Sequence, residues 1–420
     1  MQEIPINHRG TKNRLEMSDV LAGISVALLL IPQSMAYAEL AGLPSEVGLF
    51  ASALPPIFAS FVASSPYLQT GPVALTSLLT LGALSGLADS GTTEYVKLAA
   101  LLALIVGISR ILFGFFRFGK IVYLMNDPVV TGFTSAAAIL IIASQTPKVL
   151  GVKSDAEGTL NRAYKSLTNF DNWEPESVII AGVTFFLVLT GKYIHKLFPG
   201  ALLVLVGGSI YSHITNYEGS VVGDIPTGMP DLGFDLPWNS TSELLLSGLV
   251  IALIGFAEPA SISRIYAEQE KQPWNANREF ISQGVANVAS AFSGALPVGG
   301  SFSRSSLNKL SGAQSKWSGL VTGIVVCIFL PFANILDQLP KATLGAVVIA
   351  AVIGLVRPKK LFSSFSDSLS DAFITWLTFF TTLLLAPHVE RGVLIGIGFS
   401  IFISILRKPK PDSSQIEESH

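Results

Sequence analysis

The chain is 420 residues long, 50% apolar and 13% charged, with a mean hydropathy of +0.55 and a net charge of −2. Soluble chains average about 25% charged residues, so this composition describes a polytopic membrane protein. A single cysteine, Cys327, excludes a disulfide framework or a cysteine metal site within the chain, and scattered histidines without an HExxH pattern argue against a metalloenzyme.

The start, MQEIPINHRGTKNRLEMSD, reads as a polar tail over 1–16 rather than a signal peptide. Apolar segments follow at 20–38, 47–64, 73–88 (short), 95–116, 128–146, 177–194 and 198–214. A polar connection over 216–242 leads to a second set at 244–262, 280–296, 302–312 (short), 317–335, 342–356, 370–387 and 391–406, before a tail over 407–420. The expected fold class is therefore an all-α polytopic membrane protein of fourteen segments, seven in 17–215 and seven in 243–406, with both termini on the cytoplasmic side.

Charge tests that count independently. With the N-terminus inside, the Arg110, Arg117 and Lys120 cluster, Lys192 with Lys196, Arg264 to Arg278, Arg357 to Lys360 and Arg407 to Lys410 all fall inside. The stretch from Ser212 to Glu243 falls outside, with five acidic residues and no Lys or Arg, which is the positive-inside pattern. The loop from Thr146 to Glu176, also outside, carries mixed charge.

An odd number of spans per half makes any internal repeat inverted. The two short segments occupy corresponding places, SPYLQTGPVALTSLL in the first half and SGALPVGGSFSRSSL in the second. Matched, Gly/Pro-interrupted segments point to a transporter's binding site, because irregular backbone at membrane depth is tolerated only where protein or a watery cavity satisfies it. Ser301 is the expected N-cap of a half-helix FSRSSLNKL, which leaves the N–H groups of Phe302, Ser303 and Arg304 free at its positive end. Pro72 suits position N1 of the other half-helix, freeing the N–H groups of Val73, Ala74 and Leu75. Two such ends facing one another, with Arg304 beside them, make an anion site.

Four stretches in order, DVLAGISVALLLIPQSMAYAELAGLPSEVGLFAS from Asp19, LQTGPVALTSLLT from Leu68, GFAEPASISRIYAE from Gly255 and LPVGGSFSRSSLNKLSGAQS from Leu296, resemble the SulP family of anion transporters and permeases. The resemblance covers about residues 17–406. It implies two inverted repeats of seven, a core domain moving against a gate domain, and a homodimer. It places the substrate pocket at Gln33 and Tyr37 of segment one, Val73 and Ala74 of segment three, Glu258 of segment eight, and Ser303 and Arg304 of segment ten. Family members usually continue into a cytoplasmic STAS domain, whereas this chain stops at LRKPKPDSSQIEESH.

Each residue also has a plainer reading. Gln33 follows Pro32, where a kink would turn its amide toward the pocket or toward broken backbone bonds, and Tyr37, one turn on, fits substrate contact or packing equally. Glu258 interrupts an apolar run, either as a structural partner of Arg304 or backbone, or as a group whose protonation alters the charge beside the anion. The expectation is a secondary active transporter of a small inorganic anion, multi-pass in a cell membrane, most simply the bacterial inner membrane. Sulfate comes first and bicarbonate second, by proton symport, with sodium coupling at Glu258 or uncoupled exchange, of bicarbonate, chloride or a dicarboxylate, as alternatives. No cofactor beyond a coupling ion, no enzyme activity and no nucleic-acid partner is expected: only Glu258 and Arg304 are strong polar groups at membrane depth.

Overall fold

α1 (Met17–Leu40) and α2 (Ser45–Val62) open the structure, a computed structural model that describes residues 14–119, 127–154, 156–194 and 200–406. Lys120, Lys196, Arg407 to Lys410, most of the 1–16 tail and all of the 407–420 tail lie outside the described residues. After α2 come the short α3 (Ala74–Leu84), then α4 (Thr93–Phe115), α5 (Asp127–Leu150), α6 (Thr159–Thr168), α7 (Pro175–Ile194) and α8 (Gly200–Thr215). The second half holds α9 (Thr241–Glu270), α10 (Ala276–Phe292), the short α11 (Phe302–Leu310), α12 (Trp317–Phe329), α13 (Lys341–Val352), α14 (Pro358–Asp367), α15 (Leu369–Leu384) and α16 (Val389–Leu406).

Side chains mark where several of these helices begin. Thr92 accepts the N–H of Tyr95 at the head of α4, and Asn275 accepts that of Arg278 at the head of α10. Glu16 and Asp19 form a reciprocal capping box on α1. By length and composition, seven helical stretches are apolar enough to cross a membrane, among them α1, α2, α4 and α5.

Every apolar segment read from the sequence coincides with a helix, and two short helices lie between them. α6 occupies the expected loop between Thr146 and Glu176, and α14 occupies the connection after Arg357. Both are amphipathic and about ten residues long, too polar and too short to register as spans. The structure also extends one segment and relocates one charge. α1 continues through Pro32 to Leu40, and α9 continues past the expected end at 262 to Glu270 with Pro259 inside it. Arg110, counted among the charges of an inside loop, is fully buried within α4, where main-chain carbonyls of another helix receive it.

The helices pack in two groups, each drawn from both halves of the chain. In one, α4 packs on α9 and α10, α2 on α10 and α12, and α1 on α2 and α12. In the other, α5 packs on α13 and α15, α7 on α8 and α13, and α15 on α14 and α16. α1 joins them through α8 and α13, and α3 through α16.

The structure is not purely helical. Thr70–Gly71 pairs antiparallel with Gly299–Gly300, Thr70 opposite Gly300 and Gly71 opposite Gly299. The ladder lies just before α3 and α11, so it satisfies backbone where neither helix has begun. A Cβ on Gly300 would fall 2.6 Å from Leu68 Cδ1 and 3.2 Å from Pro259 Cγ, so any side chain there would have to displace Leu68.

Polar side chains hold the flanking turns. Glu279 of α10, fully buried, accepts the N–H groups of Ser64 and Ser65 and the indole of Trp274. Asp19 of α1, also fully buried, accepts the N–H groups of Gln314 at 2.7 Å and Ser315 at 2.9 Å and the Ser315 hydroxyl at 2.6 Å. Asp19→Ala orphans these donors, which cost roughly 1–3 kcal/mol each when buried, and water entry recovers part. The expected result is a clear drop in melting temperature in detergent, read by intrinsic fluorescence; an unchanged melt would show that the turn after α11 stands without Asp19.

Candidate functional site

The site begins with the ladder. Its strands are antiparallel, so α3 and α11 leave it in opposite directions with their N-termini turned toward it from either side. Ser301 is the N-cap of α11, with extended backbone (φ −119°, ψ 132°), and the first helical bond runs from the Ser305 N–H to the Ser301 carbonyl. The N–H groups of Phe302, Ser303 and Arg304 thus have no acceptor within the helix. Val73 is the N-cap of α3, whose first bond runs from the Ser77 N–H to the Val73 carbonyl. The expected start at Pro72 is corrected accordingly: Pro72 precedes the cap, and the unpaired helical donors belong to Ala74, Leu75 and Thr76. Val73 already has the extended conformation of a cap, and Thr76 Oγ1 reaches across to the Pro297 carbonyl.

Arg304 lies on the first turn of α11 and is fully buried. Its Nη1 donates to Gln33 Oε1 at 3.4 Å, while Nε and Nη2 are buried with no hydrogen-bond partner. Nη2 lies 3.6 Å from where a Cβ on Gly71 would stand, so the glycine keeps the space between the guanidinium and the ladder open. Unpaired buried donors are costly, more so on a charged group, and such a group in a native protein calls for an acceptor.

Gln33 meets Arg304 through its carbonyl oxygen, which accepts from Nη1. Tyr37, one turn further along α1, is buried, and its hydroxyl is close enough to feel the charges of Arg304 and Glu258. Glu258 of α9 accepts the Phe302 N–H at 3.1 Å, so its carboxylate caps α11 from outside the helix. Ser303 is exposed, its hydroxyl 3.2 Å from that of Ser301. Gln33, Tyr37, Glu258 and Arg304 therefore converge on the head of α11. Val73 joins from the other side, since a Cβ on Gly299 would lie 3.3 Å from Val73 Cγ2.

Residues that sequence reasoning passed over hold this arrangement. Asn287 of α10 receives the Val298 N–H on Oδ1 and donates from Nδ2 to the Val298 carbonyl, while Gln283, one turn earlier, donates to Thr70 Oγ1 at 2.8 Å. The Gln69 backbone N–H donates to Ser305 Oγ, and its side chain bridges Ser318 and Thr322 of α12. Asn308 of α11 donates to the Tyr67 carbonyl and to Ser318 Oγ. The readable signal was Gln283 and Asn287, amides four apart on one face of an apolar helix.

The family model described as the sulfate permease family matches residues 17–378. A chloroplastic sulfate transporter, 4.1, of Arabidopsis thaliana is 33% identical over 404 residues, 94% of this chain and 59% of that protein. A probable sulfate transporter of Mycobacterium tuberculosis is 29% identical over 97% of this chain and 74% of its own length. The chain thus spans less than two thirds of the Arabidopsis protein. Among solved structures, the murine Slc26a9 anion transporter in its inward-facing state superposes with a TM-score of 0.83 at 22% identity, covering 95% of this chain and 69% of that one. The transmembrane domain of a cyanobacterial bicarbonate transporter, BicA, gives 0.77 at 21% identity, covering 93% and 100%. The broken helices, their ladder and the buried arginine beside it all fall within the matched residues, and the chain belongs to the sulfate permease family.

Proposed function

We propose that the protein is a secondary active transporter of a small inorganic anion, sulfate first and bicarbonate second, and that Gln33, Tyr37, Val73, Ala74, Ser303 and Arg304 form its substrate site. The observation that carries this reading is Arg304: a fully buried guanidinium with Nε and Nη2 unpaired, beside the heads of two half-helices. An oxyanion there supplies the missing acceptors, and the remaining helix N–H groups add to them. The relatives named as sulfate and bicarbonate transporters support the choice of anion.

In this reading the fourteen apolar helices form two inverted repeats of seven, α6 and α14 lying outside the count. The group containing α1 to α4 and α9 to α12 is the core that carries the site, and the group containing α5, α7, α8, α13, α15 and α16 is the gate. Relative movement of the two gives alternating access. The chain works as a homodimer in a cell membrane, with both termini cytoplasmic.

Proton symport acts through Glu258, the carboxylate that, among the described residues, accepts a hydrogen bond at the head of α11. Glu258→Gln isolates that role, because the amide oxygen still accepts the Phe302 N–H while the charge is gone. In proteoliposomes of set internal and external pH, the variant is expected to lose uphill sulfate accumulation driven by protons, about tenfold or more, yet retain exchange. Uptake in Glu258→Gln that still follows the proton gradient would remove the coupling assignment. The same hydrogen bond favours a second reading, in which Glu258 is a structural cap and the protein exchanges anions without coupling or couples to sodium. It predicts wild-type uptake indifferent to proton gradients, and a sodium gradient then separates its two forms.

A further inference from the structure

Arg110 is, with Arg304, one of the two fully buried arginines among the described residues, and nothing in the site as described uses it. It lies on α4, fully buried, with Nη1 donating to the Val298 carbonyl at 2.8 Å, Nε to the Ala252 carbonyl at 3.1 Å and Nη2 to the Ile251 carbonyl at 3.3 Å. Its partners are all main-chain carbonyls, and among the described residues no carboxylate pairs with it. Carbonyls satisfy its donors but leave its charge uncompensated, and a buried charge without a counter-ion is expensive. Arg is not deprotonated in proteins, so the charge persists.

The position of that charge is specific. Val298 immediately precedes Gly299, and Ser301, the cap of α11, is three residues on. A Cβ on Gly255 would stand 2.6 Å from Arg110 Nη2 and 3.0 Å from Thr76 Cγ2, and one on Gly299 would stand 3.3 Å from Val73 Cγ2. The guanidinium is therefore packed, across the bare backbone of Gly255, against the first turn of α3. A positive group buried behind the positive end of a helix is unfavourable when the space in front of that helix is empty. An anion seated there relieves both.

We propose that Arg110 is a second cation of the anion site, acting through its charge, and that it sets the preference of the site for a dianion over a monoanion. This rests on the transport reading above. Arg304 and Arg110 contribute two positive charges, and an ionised Glu258 subtracts one. Removing a charge at a fixed place costs a dianion twice the electrostatic energy that it costs a monoanion, so the fold-loss for sulfate is the square of that for nitrate. A role confined to holding Val298 would weaken both anions by the same factor.

The test is titration calorimetry of the full chain in detergent with sulfate and with nitrate, neither of which titrates between pH 6 and 9. Arg110→Gln is expected to weaken sulfate by the square of the factor by which it weakens nitrate, about a hundredfold against about tenfold. Arg110→Lys keeps the charge and is expected to bind both near wild type at pH 6. As pH rises, a buried lysine surrenders its proton where arginine does not, so this variant alone loses its preference for sulfate. Glu258, Tyr37 and Arg304 are the other ionisable groups at the site, and they are common to both proteins, so the wild-type titration subtracts them. If Arg110→Gln fails to run as a single species on size exclusion, the Arg110→Lys pH series decides. Equal losses for both anions, or a sulfate preference in Arg110→Lys that tracks wild type across pH, overturn the proposal. Binding of neither anion by the wild type overturns the transport reading, and the inference with it.

Discussion

Arg304→Ala is expected to lower sulfate uptake into proteoliposomes by about a thousandfold relative to wild type. The guanidinium offers an anion two buried donors that nothing else occupies, Nε and Nη2, and charge-assisted hydrogen bonds contribute roughly 1.5–3 kcal/mol each. Two of them amount to about 4 kcal/mol, which is about a thousandfold in affinity. The truncation also leaves Glu258 at the head of α11 with less opposing charge, so the remaining field discourages the substrate. Arg304→Lys restores the charge without the planar fork and is expected to recover part of the rate. Initial rates with radiolabelled sulfate and bicarbonate, at matched protein content, check both variants. Uptake by Arg304→Ala within threefold of wild type would mean that the anion binds elsewhere.

The largest effect on stability is expected at Gly48, where α2 crosses α1. A Cβ there would stand 1.9 Å from the Ser34 carbonyl oxygen and 2.4 Å from its carbon, both backbone atoms that cannot swing aside. Gly48→Ala must therefore push the two helices apart, and overpacking of this kind costs roughly 1–3 kcal/mol or more. A larger side chain costs more. The damage reaches the site as well, because Gln33 precedes Ser34 directly and Tyr37 lies one turn further along α1. Gly48→Ala is expected to lower both the melting temperature in detergent and the uptake rate; a variant that melts with wild type would show that α1 and α2 separate freely.

Much of this was legible along the chain because hydrocarbon imposes strict rules. The helices had to be long and apolar, so their places could be read from hydropathy alone. The two half-helices stood out for the opposite reason, since Gly, Pro and Ser at membrane depth leave backbone that something must satisfy. Ser301 as a cap and FSRSSLNKL as a helix followed from local chemistry and match the structure. Gln33, Tyr37, Glu258 and Arg304, placed in one pocket by resemblance, do meet at the head of α11.

Other features were hidden because their reasons are not local. Arg110 near the end of an apolar run looks like an inside-facing loop charge. Only the approach of α9 and of Val298 supplies the three carbonyls that let it be buried. The ladder between Thr70–Gly71 and Gly299–Gly300 joins residues more than two hundred positions apart, and no short-range pattern announces such a pairing. By itself the sequence determined the helices, their approximate ends and the two polar interruptions, since each depends on a residue and its near neighbours in an apolar solvent. The tertiary structure alone decided which interruption faces which, which donors of Arg304 stay unpaired and where Arg110 puts its charge, because buried polar groups find their partners wherever the fold brings them.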